Sequence, residues 1–194
     1  MEFLIPSWED IYDMCIRLAD TIRESKFKPD LIVAVARGGW VPGRIMSDLL
    51  SNSNVASLRV EFYKDVAKTS GKPIISQKVS ASVRDRKILV VDDVADTGES
   101  LRVVRDYLKK LGPSEIRIAT LHYKPKSILK PDYFIGETDA WIVYPHERHE
   151  FVKNMVGRLR KDGMSLEDAR REIKGTGLDP KIVDMFIDEV WPKA

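Results

Sequence analysis

Only one cysteine, Cys15, occurs in 194 residues, so no disulfide can form within the chain and a reducing compartment such as the cytoplasm is the expected setting. Long apolar runs are missing too. Nothing approaches the roughly 18 residues of a membrane span, and MEFLIPSWED has no basic stretch followed by an apolar one, so neither membrane insertion nor export is expected. Charge of one sign is not in excess: 32 Lys and Arg face 30 Asp and Glu, a net charge of +2. That balance argues against nucleic acid and anionic membrane as partners, so any charged ligand has to be recognised locally. Histidine is scarce, and His122, His146 and His149 share no metal-ligand spacing on one helical face. The length suits one domain with a buried core and a small appendage.

What is present alternates. Ser7-Trp8-Glu9-Asp10 resembles a capping box, and Ile11, Met14, Cys15, Leu18 and Ile22 recur at helical spacing, which predicts a helix from 7 to about 25. LIVAVA (31–36) reads as a buried strand ending in Arg37-Gly38-Gly39, and Pro42 opens a second helix ending near Asn52. VASLRVEFY (55–63) is another strand. The polar KDVAKTSGKPIISQ, with Gly71 and Pro73, reads as a mobile loop. A strand over 88–93, a helix from Glu99 to about Leu111 and a strand over 115–123 follow, the helix stopped by Gly112-Pro113. Strands that are continuous apolar runs and alternate with helices predict an α/β fold, a mostly parallel sheet covered on both faces. From about 150 onward no strand is expected. Ser165-x-x-Asp168 and Asp179-Pro180 are helix starts, and two apolar stripes, Phe151-Met155-Leu159 and Ile182-Met185-Phe186-Val190, predict helices that cover each other or a neighbouring subunit.

The stretch ILVVDDVADTGESL (88–101) carries the chemistry. Asp92, Asp93 and Asp96 sit at the carboxyl end of a buried strand, where open parallel sheets place their ligands. Asp often marks a turn, but two adjacent carboxylates straight after an apolar run, followed by Asp-Thr-Gly-x-Ser, exceed what a turn needs. Gly98 permits a tight bend, Thr97 and Ser100 offer hydroxyls, and the first N–H groups of the next helix point outward, a combination that binds phosphate. Carboxylates beside a phosphate repel it unless they hold the other end of the ligand through hydroxyls or a divalent metal. A phosphorylated sugar meets both demands.

VVDDVADTGESL resembles the signature of type I phosphoribosyltransferases, which bind 5-phosphoribosyl-1-pyrophosphate. AVARGGWVPGRIM resembles the family's pyrophosphate loop, and YKP followed by AWIVYP resembles the base-binding lysine and aromatic segment of the purine enzymes of hypoxanthine-guanine and xanthine-guanine type. The resemblance covers 1–148 and implies a phosphoribosyltransferase domain of type I fold there, with 149–194 as a helical C-terminal extension. It implies that Asp92 and Asp93 hold the ribose hydroxyls, partly through Mg²⁺, and that Ala95, Asp96, Thr97, Gly98, Glu99 and Ser100 cradle the 5′-phosphate. Arg37, Gly38 and the following amides would bind pyrophosphate, in a loop where family members commonly hold a cis peptide. Whether that peptide is Arg37-Gly38 is left open. Asp96 is implied as the catalytic residue, either accepting the purine N7 proton or stabilising positive charge on the ribose. Lys124 would donate to the purine O6, Trp141 would stack on the base and Ile142 would contribute backbone groups.

The implied substrates are phosphoribosyl pyrophosphate and a 6-oxopurine, with adenine on the same scaffold as the alternative base and a non-catalytic phosphoribosyl-pyrophosphate sensor as the alternative class. Residues 151–194 carry nine Lys or Arg and eight Asp or Glu, without the basic stripe of a DNA reader. A response-regulator receiver would explain the acid pair but neither Asp-Thr-Gly-x-Ser nor Arg-Gly-Gly. A homodimer or higher homo-oligomer is expected. Where the 6-oxopurine enzymes carry Ser-Tyr ahead of their closing loop, this chain has Phe62-Tyr63. Without function, Trp141 would be a core tryptophan and Lys124 a solvated lysine.

Overall fold

The computed structural model describes residues 2–63 and 71–191. They form two compact units, Ile11–Asp139 and a second made of Met1–Asp10 together with Ala140–Ala194.

The larger unit is built on a six-stranded sheet. Its strands are β2 (Leu31–Ala36), β3 (Val55–Tyr63), β4 (Lys72–Gln77), β5 (Lys87–Ala95), β6 (Glu115–Tyr123) and β7 (Tyr133–Glu137), in the order β4-β3-β2-β5-β6-β7. All neighbours are parallel except β3 and β4. Every residue of β2 is buried, because helices cover both faces of this central strand. Leu31, Val33 and Val35 join Ile88 and Val90 in a core with Leu101, Val104 and Leu108 of α3 (Glu99–Lys109). α2 (Trp40–Leu49) approaches the intervening Ala34 so closely that Gly43 has no room for a Cβ, which would sit 2.8 Å from that alanine's own. α1 (Trp8–Glu24) buries Ile11, Cys15, Leu18 and Ile22 of the row the sequence spacing predicts and adds Ala19, while Met14 is half-buried. Its capping box forms: the Asp10 N–H donates to Ser7 Oγ at 3.0 Å and the Ser7 N–H to Asp10 Oδ2 at 2.8 Å.

The expected mobile loop after β3 requires correction. Residues 64–70 lie outside the described residues, but Lys72–Gln77 is a strand, antiparallel to β3 at the edge of the sheet. Pro73 misled the reading; an edge strand tolerates proline, because only one side of it needs its backbone donors. β7, short and interrupted by Gly136, escaped prediction, and β5 runs two residues past Asp93 to Ala95, paired with Tyr123.

In the smaller unit two-residue strands β1 (Phe3–Leu4) and β8 (Trp141–Ile142) pair in parallel beside three helices, α4 (Arg148–Lys161), α5 (Leu166–Lys174) and α6 (Pro180–Val190). Of the second apolar stripe, Ile182, Phe186 and Val190 pack partly buried against the core of this unit. Val183 and Ile187 face the core with Val143, Phe151, Val152, Leu159, Ala169 and Ile173, whereas Met185 is exposed. The helices therefore bury their faces within their own unit, where Phe3 and Ile5 add to the core and Phe3 meets Phe151 edge to face. Ser165 and Asp179 cap α5 and α6, accepting from the Asp168 N–H at 3.2 Å and the Lys181 N–H at 2.8 Å. Among the described residues no helix is long and apolar enough to cross a membrane.

Candidate active site

Parallel strands β2 and β5 are neighbours, so the loops leaving their carboxyl ends open on the same edge of the sheet. The β2 loop contains Arg37, which is exposed, and Gly38. The chain's non-proline cis peptide among the described residues is Ala36-Arg37, one bond earlier than the Arg37-Gly38 peptide considered from sequence. Gly39 N–H donates to Val35 O at 2.8 Å, which turns the loop tightly into α2. The β5 loop bends at Gly98, whose φ of 77° lies in the left-handed region that a side chain disfavours, and Leu129 N would lie 2.7 Å from a Cβ there. Glycines stand at the N-caps of α2 and α3, where α5 and α6 have side-chain caps, and two helix N-termini reach this edge, that of α3 with its Glu99 N–H donating to Thr97 Oγ1 at 3.4 Å.

Between the two loops stand the acids. Asp92 and Asp93 are both buried, and the Asp93 N–H donates to Asp92 Oδ1 at 3.0 Å. Burial, and then the negative charge of Asp93, push the Asp92 carboxyl well above its usual range. Two buried carboxylates side by side are an oxygen donor set of the kind that suits a cation or hydroxyl donors. Gly38 lies against Asp93, and a Cβ there would come within 2.5 Å of the carboxylate carbon, so the pyrophosphate-type loop touches the acid pair directly. His122 of β6, paired in register with Val94, is buried and held neutral with its pKa lowered to about 4 by burial, the Asp93 charge opposing the shift. Gly136 makes room for its ring: a Cβ there would lie 2.6 Å from Cδ2.

Asp96 follows on the rim, half exposed, with Ala95 buried behind it, Thr97 in the turn and Glu99 and Ser100 opening α3. Lys124, the residue after β6, is 5 % exposed. Its backbone N–H donates to Ala95 O at 3.0 Å and its Nζ lies 3.3 Å from Asp96 Oδ2. An ammonium so deeply buried is tolerable only when paired, and Asp96 is a partner. Trp141, on β8 of the smaller unit, is 51 % exposed, while Ile142 is buried. Solvated lysine and core tryptophan, the pattern expected without function, are thus reversed.

Lys126 went unnoticed in the sequence, and His122 was weighed there only as a metal ligand. Lys126 Nζ lies 3.2 Å from Asp96 Oδ1, and His122 is a buried imidazole that feels the Asp93 charge. The only signal for the first was a second lysine two places after Lys124, brought back by the turn in which the Ser127 N–H donates to Lys124 O at 2.9 Å.

Residues 7–147 match the family described as phosphoribosyl transferase domain. The chain belongs to this family. A curated relative, the xanthine-guanine phosphoribosyltransferase of Idiomarina loihiensis, is 29 % identical over 161 residues, 81 % of this chain and 94 % of that one. The hypoxanthine-guanine phosphoribosyltransferase of Schizosaccharomyces pombe is 28 % identical over 76 % of this chain and 90 % of its own. Among solved structures, the purine phosphoribosyltransferase of Pyrococcus horikoshii superposes with a TM-score of 0.68 at 38 % identity, covering 75 % of this chain and 94 % of that chain. The fold is the type I phosphoribosyltransferase fold, a mostly parallel sheet flanked by helices. The matched family segment ends at residue 147, one residue before α4 of this phosphoribosyltransferase begins.

Proposed function

We propose that the protein is a purine phosphoribosyltransferase that moves the 5-phosphoribosyl group from phosphoribosyl pyrophosphate to a 6-oxopurine, giving the nucleoside 5′-monophosphate and pyrophosphate. The observation that carries this reading is the meeting of the acid pair Asp92-Asp93 with Gly38 on one side and of Asp96 with the buried Lys124 on the other, all on one edge of the sheet. Residues 1–148 serve as the catalytic domain and 149–194 as its extension. The protein acts in the cytoplasm as a homo-oligomer.

Asp92 and Asp93 take the ribose hydroxyls. The N–H groups opening α3, with Thr97 and Ser100, take the 5′-phosphate, lined by Ala95, Gly98 and Glu99. Arg37 and the Gly38 amide take the pyrophosphate. Asp92 and Asp93 would hold a Mg²⁺ ion, their two adjacent buried carboxylates being the hard oxygen donors such a cation takes. Bound there, the ion supplies charge neutralisation for the departing pyrophosphate.

Lys124 donates to the oxygen at purine position 6, and Trp141 offers its ring face to the base, with Ile142 adding backbone groups. The purine N9 lone pair forms the bond to the anomeric carbon as the bond from that carbon to the pyrophosphate oxygen breaks, and the electron pair leaves with pyrophosphate. The N7 proton passes to the carboxylate of Asp96, which lies between the Lys124 and Lys126 side chains. Initial rates with guanine, hypoxanthine, xanthine and adenine, each with phosphoribosyl pyrophosphate and Mg²⁺, test the proposal. A 6-oxopurine is expected to give the highest kcat/KM. Calorimetric binding of phosphoribosyl pyrophosphate without pyrophosphate release from any purine would make the protein a sensor.

A further inference from the structure

Each carboxylate oxygen of Asp96 has its own ammonium. Oδ2 lies 3.3 Å from Lys124 Nζ, and Oδ1, a buried atom that makes no hydrogen bond among the described residues, lies 3.2 Å from Lys126 Nζ, an ion-pair contact. The two lysines differ in surroundings: the Lys124 side chain is 6 % exposed, that of Lys126 58 %. Their segment is fastened to the phosphate loop. Lys124 N–H donates to Ala95 O at 3.0 Å, Ser127 N–H closes a turn on Lys124 O, and Ile128 N–H donates to Thr97 O at 2.9 Å. Gly98 leaves the space that Ser127 Oγ and Leu129 N occupy. The bonds that shape the loop therefore also fix where the backbone of Lys126 stands relative to Asp96.

We infer that Lys126 is a positioning residue that holds Asp96 by Oδ1 while Lys124 turns from Oδ2 to the base. The inference rests on the reading of Asp96 as proton acceptor and of Lys124 as reader of position 6. When Lys124 gives N–H to a purine oxygen its charge is shared, and Oδ2 becomes the oxygen available to the N7 proton. A carboxylate released at that moment would be free to rotate about its side-chain bonds. Lys126 makes no demand on the base and keeps the other oxygen in place. Because a half-exposed ion pair contributes little to stability, loss of Lys126 leaves the fold intact. Displacement of a proton acceptor by a fraction of an ångström, by contrast, slows the chemical step.

Four variants test this: Asp96→Asn, Lys126→Met, Lys126→Arg and the double variant Asp96→Asn/Lys126→Met. Lys126→Met is expected to lower kcat by about tenfold while the KM values for both substrates and the thermal midpoint stay near wild type. Lys126→Arg, which keeps the charge, is expected to recover most of the rate, and adding Lys126→Met to Asp96→Asn to cost nothing further. If Asp96→Asn turns over normally, the underlying reading of Asp96 fails. Should Asp96→Asn be slow while Lys126→Met is normal, that reading stands and the inference is overturned. A raised KM for phosphoribosyl pyrophosphate in Lys126→Met, or an additive loss in the double variant, overturns it as well, because Lys126 would then be acting on the substrate and not through Asp96.

Discussion

Gly38 lies against the carboxylate of Asp93, with its own Cα where a longer residue would put a methyl group 2.5 Å from the Asp93 Cγ. The loop proposed to meet pyrophosphate and the acids proposed to meet ribose are therefore packed together, and a change in the first displaces the second. Gly38→Ala forces a collision that typically costs about 1–3 kcal/mol when a packed site has to shift. The expected result is a KM for phosphoribosyl pyrophosphate raised at least about tenfold with little change in the KM for the base, since displacement of the acid pair falls on one substrate. Steady-state kinetics with each substrate varied in turn check it. Arg37→Ala is expected to show the same asymmetry.

Asp92, Asp93 and Asp96 should separate by kinetic behaviour. Asp92→Asn and Asp93→Asn remove charge from the sugar and metal end and should weaken use of phosphoribosyl pyrophosphate and shift its Mg²⁺ dependence. Asp96→Asn keeps shape and hydrogen bonding but takes no proton, and should lower kcat by about 10²–10⁴-fold. Normal kinetics in all three variants, with the fold intact, would falsify the assignment.

How far the sequence disclosed these relations depends on their range. VVDDVADTGESL is a local pattern whose order alone fixes strand, turn and helix, so the acid pair, the left-handed Gly98 and the start of α3 were all legible. The Lys126 contact was not, because it depends on a turn after β6 returning the chain to a loop 30 residues earlier. β4 was hidden by Pro73, and β1 and β8, two residues each, are too short to show a period and exist only because they pair across more than 130 residues. In the tail, Ile182, Val183, Met185, Phe186, Ile187 and Val190 give two overlapping apolar stripes, and which one turns inward is decided by α4 and α5, not by α6 itself.

The three-helix unit gives a prediction about the tail. Ile173 is fully buried among Phe151, Val183 and Ile187, so Ile173→Ala is expected to cost about 2–5 kcal/mol by leaving a cavity. Limited proteolysis should then cut first after residue 147. Protection equal to wild type would show that α4–α6 draw their stability from elsewhere.

Cys15 gives a prediction at alkaline pH. Burial pushes its thiol up to about 12 from an ordinary 9.0. Above pH 9 the unfolded chain loses this proton while the native chain keeps it. The contribution is therefore intact below pH 9 and lost between about 9 and 12, at up to about 1.4 kcal/mol per pH unit. A thiol reagent at pH 8 is expected to leave the native protein unmodified and to label one thiol per chain after denaturation. Rapid labelling of the native state would mean that α1 opens far more readily than its packing indicates.

Base choice rests on Lys124. Its ammonium has three donors and no acceptor, and it is buried where an unmatched group is expensive. A 6-oxopurine brings an acceptor to it. Adenine brings an amino group, so donor would meet donor and both would be left unpaired, a penalty on the order of 1–3 kcal/mol, equivalent to roughly five- to 150-fold in kcat/KM. Asp96 sharpens the choice, because its carboxylate pairs with the Lys124 ammonium, a group that only donates. Guanine or hypoxanthine should be used best, xanthine next and adenine least. Lys124→Ala should slow turnover of the 6-oxopurines and narrow their advantage over adenine, while Lys124→Arg, still a donor, should keep the order. Competition between bases with a limiting supply of phosphoribosyl pyrophosphate measures the ranking in one vessel. If adenine wins in the wild type, or if the ranking in Lys124→Ala is the same as in the wild type, selection lies in contacts other than this lysine.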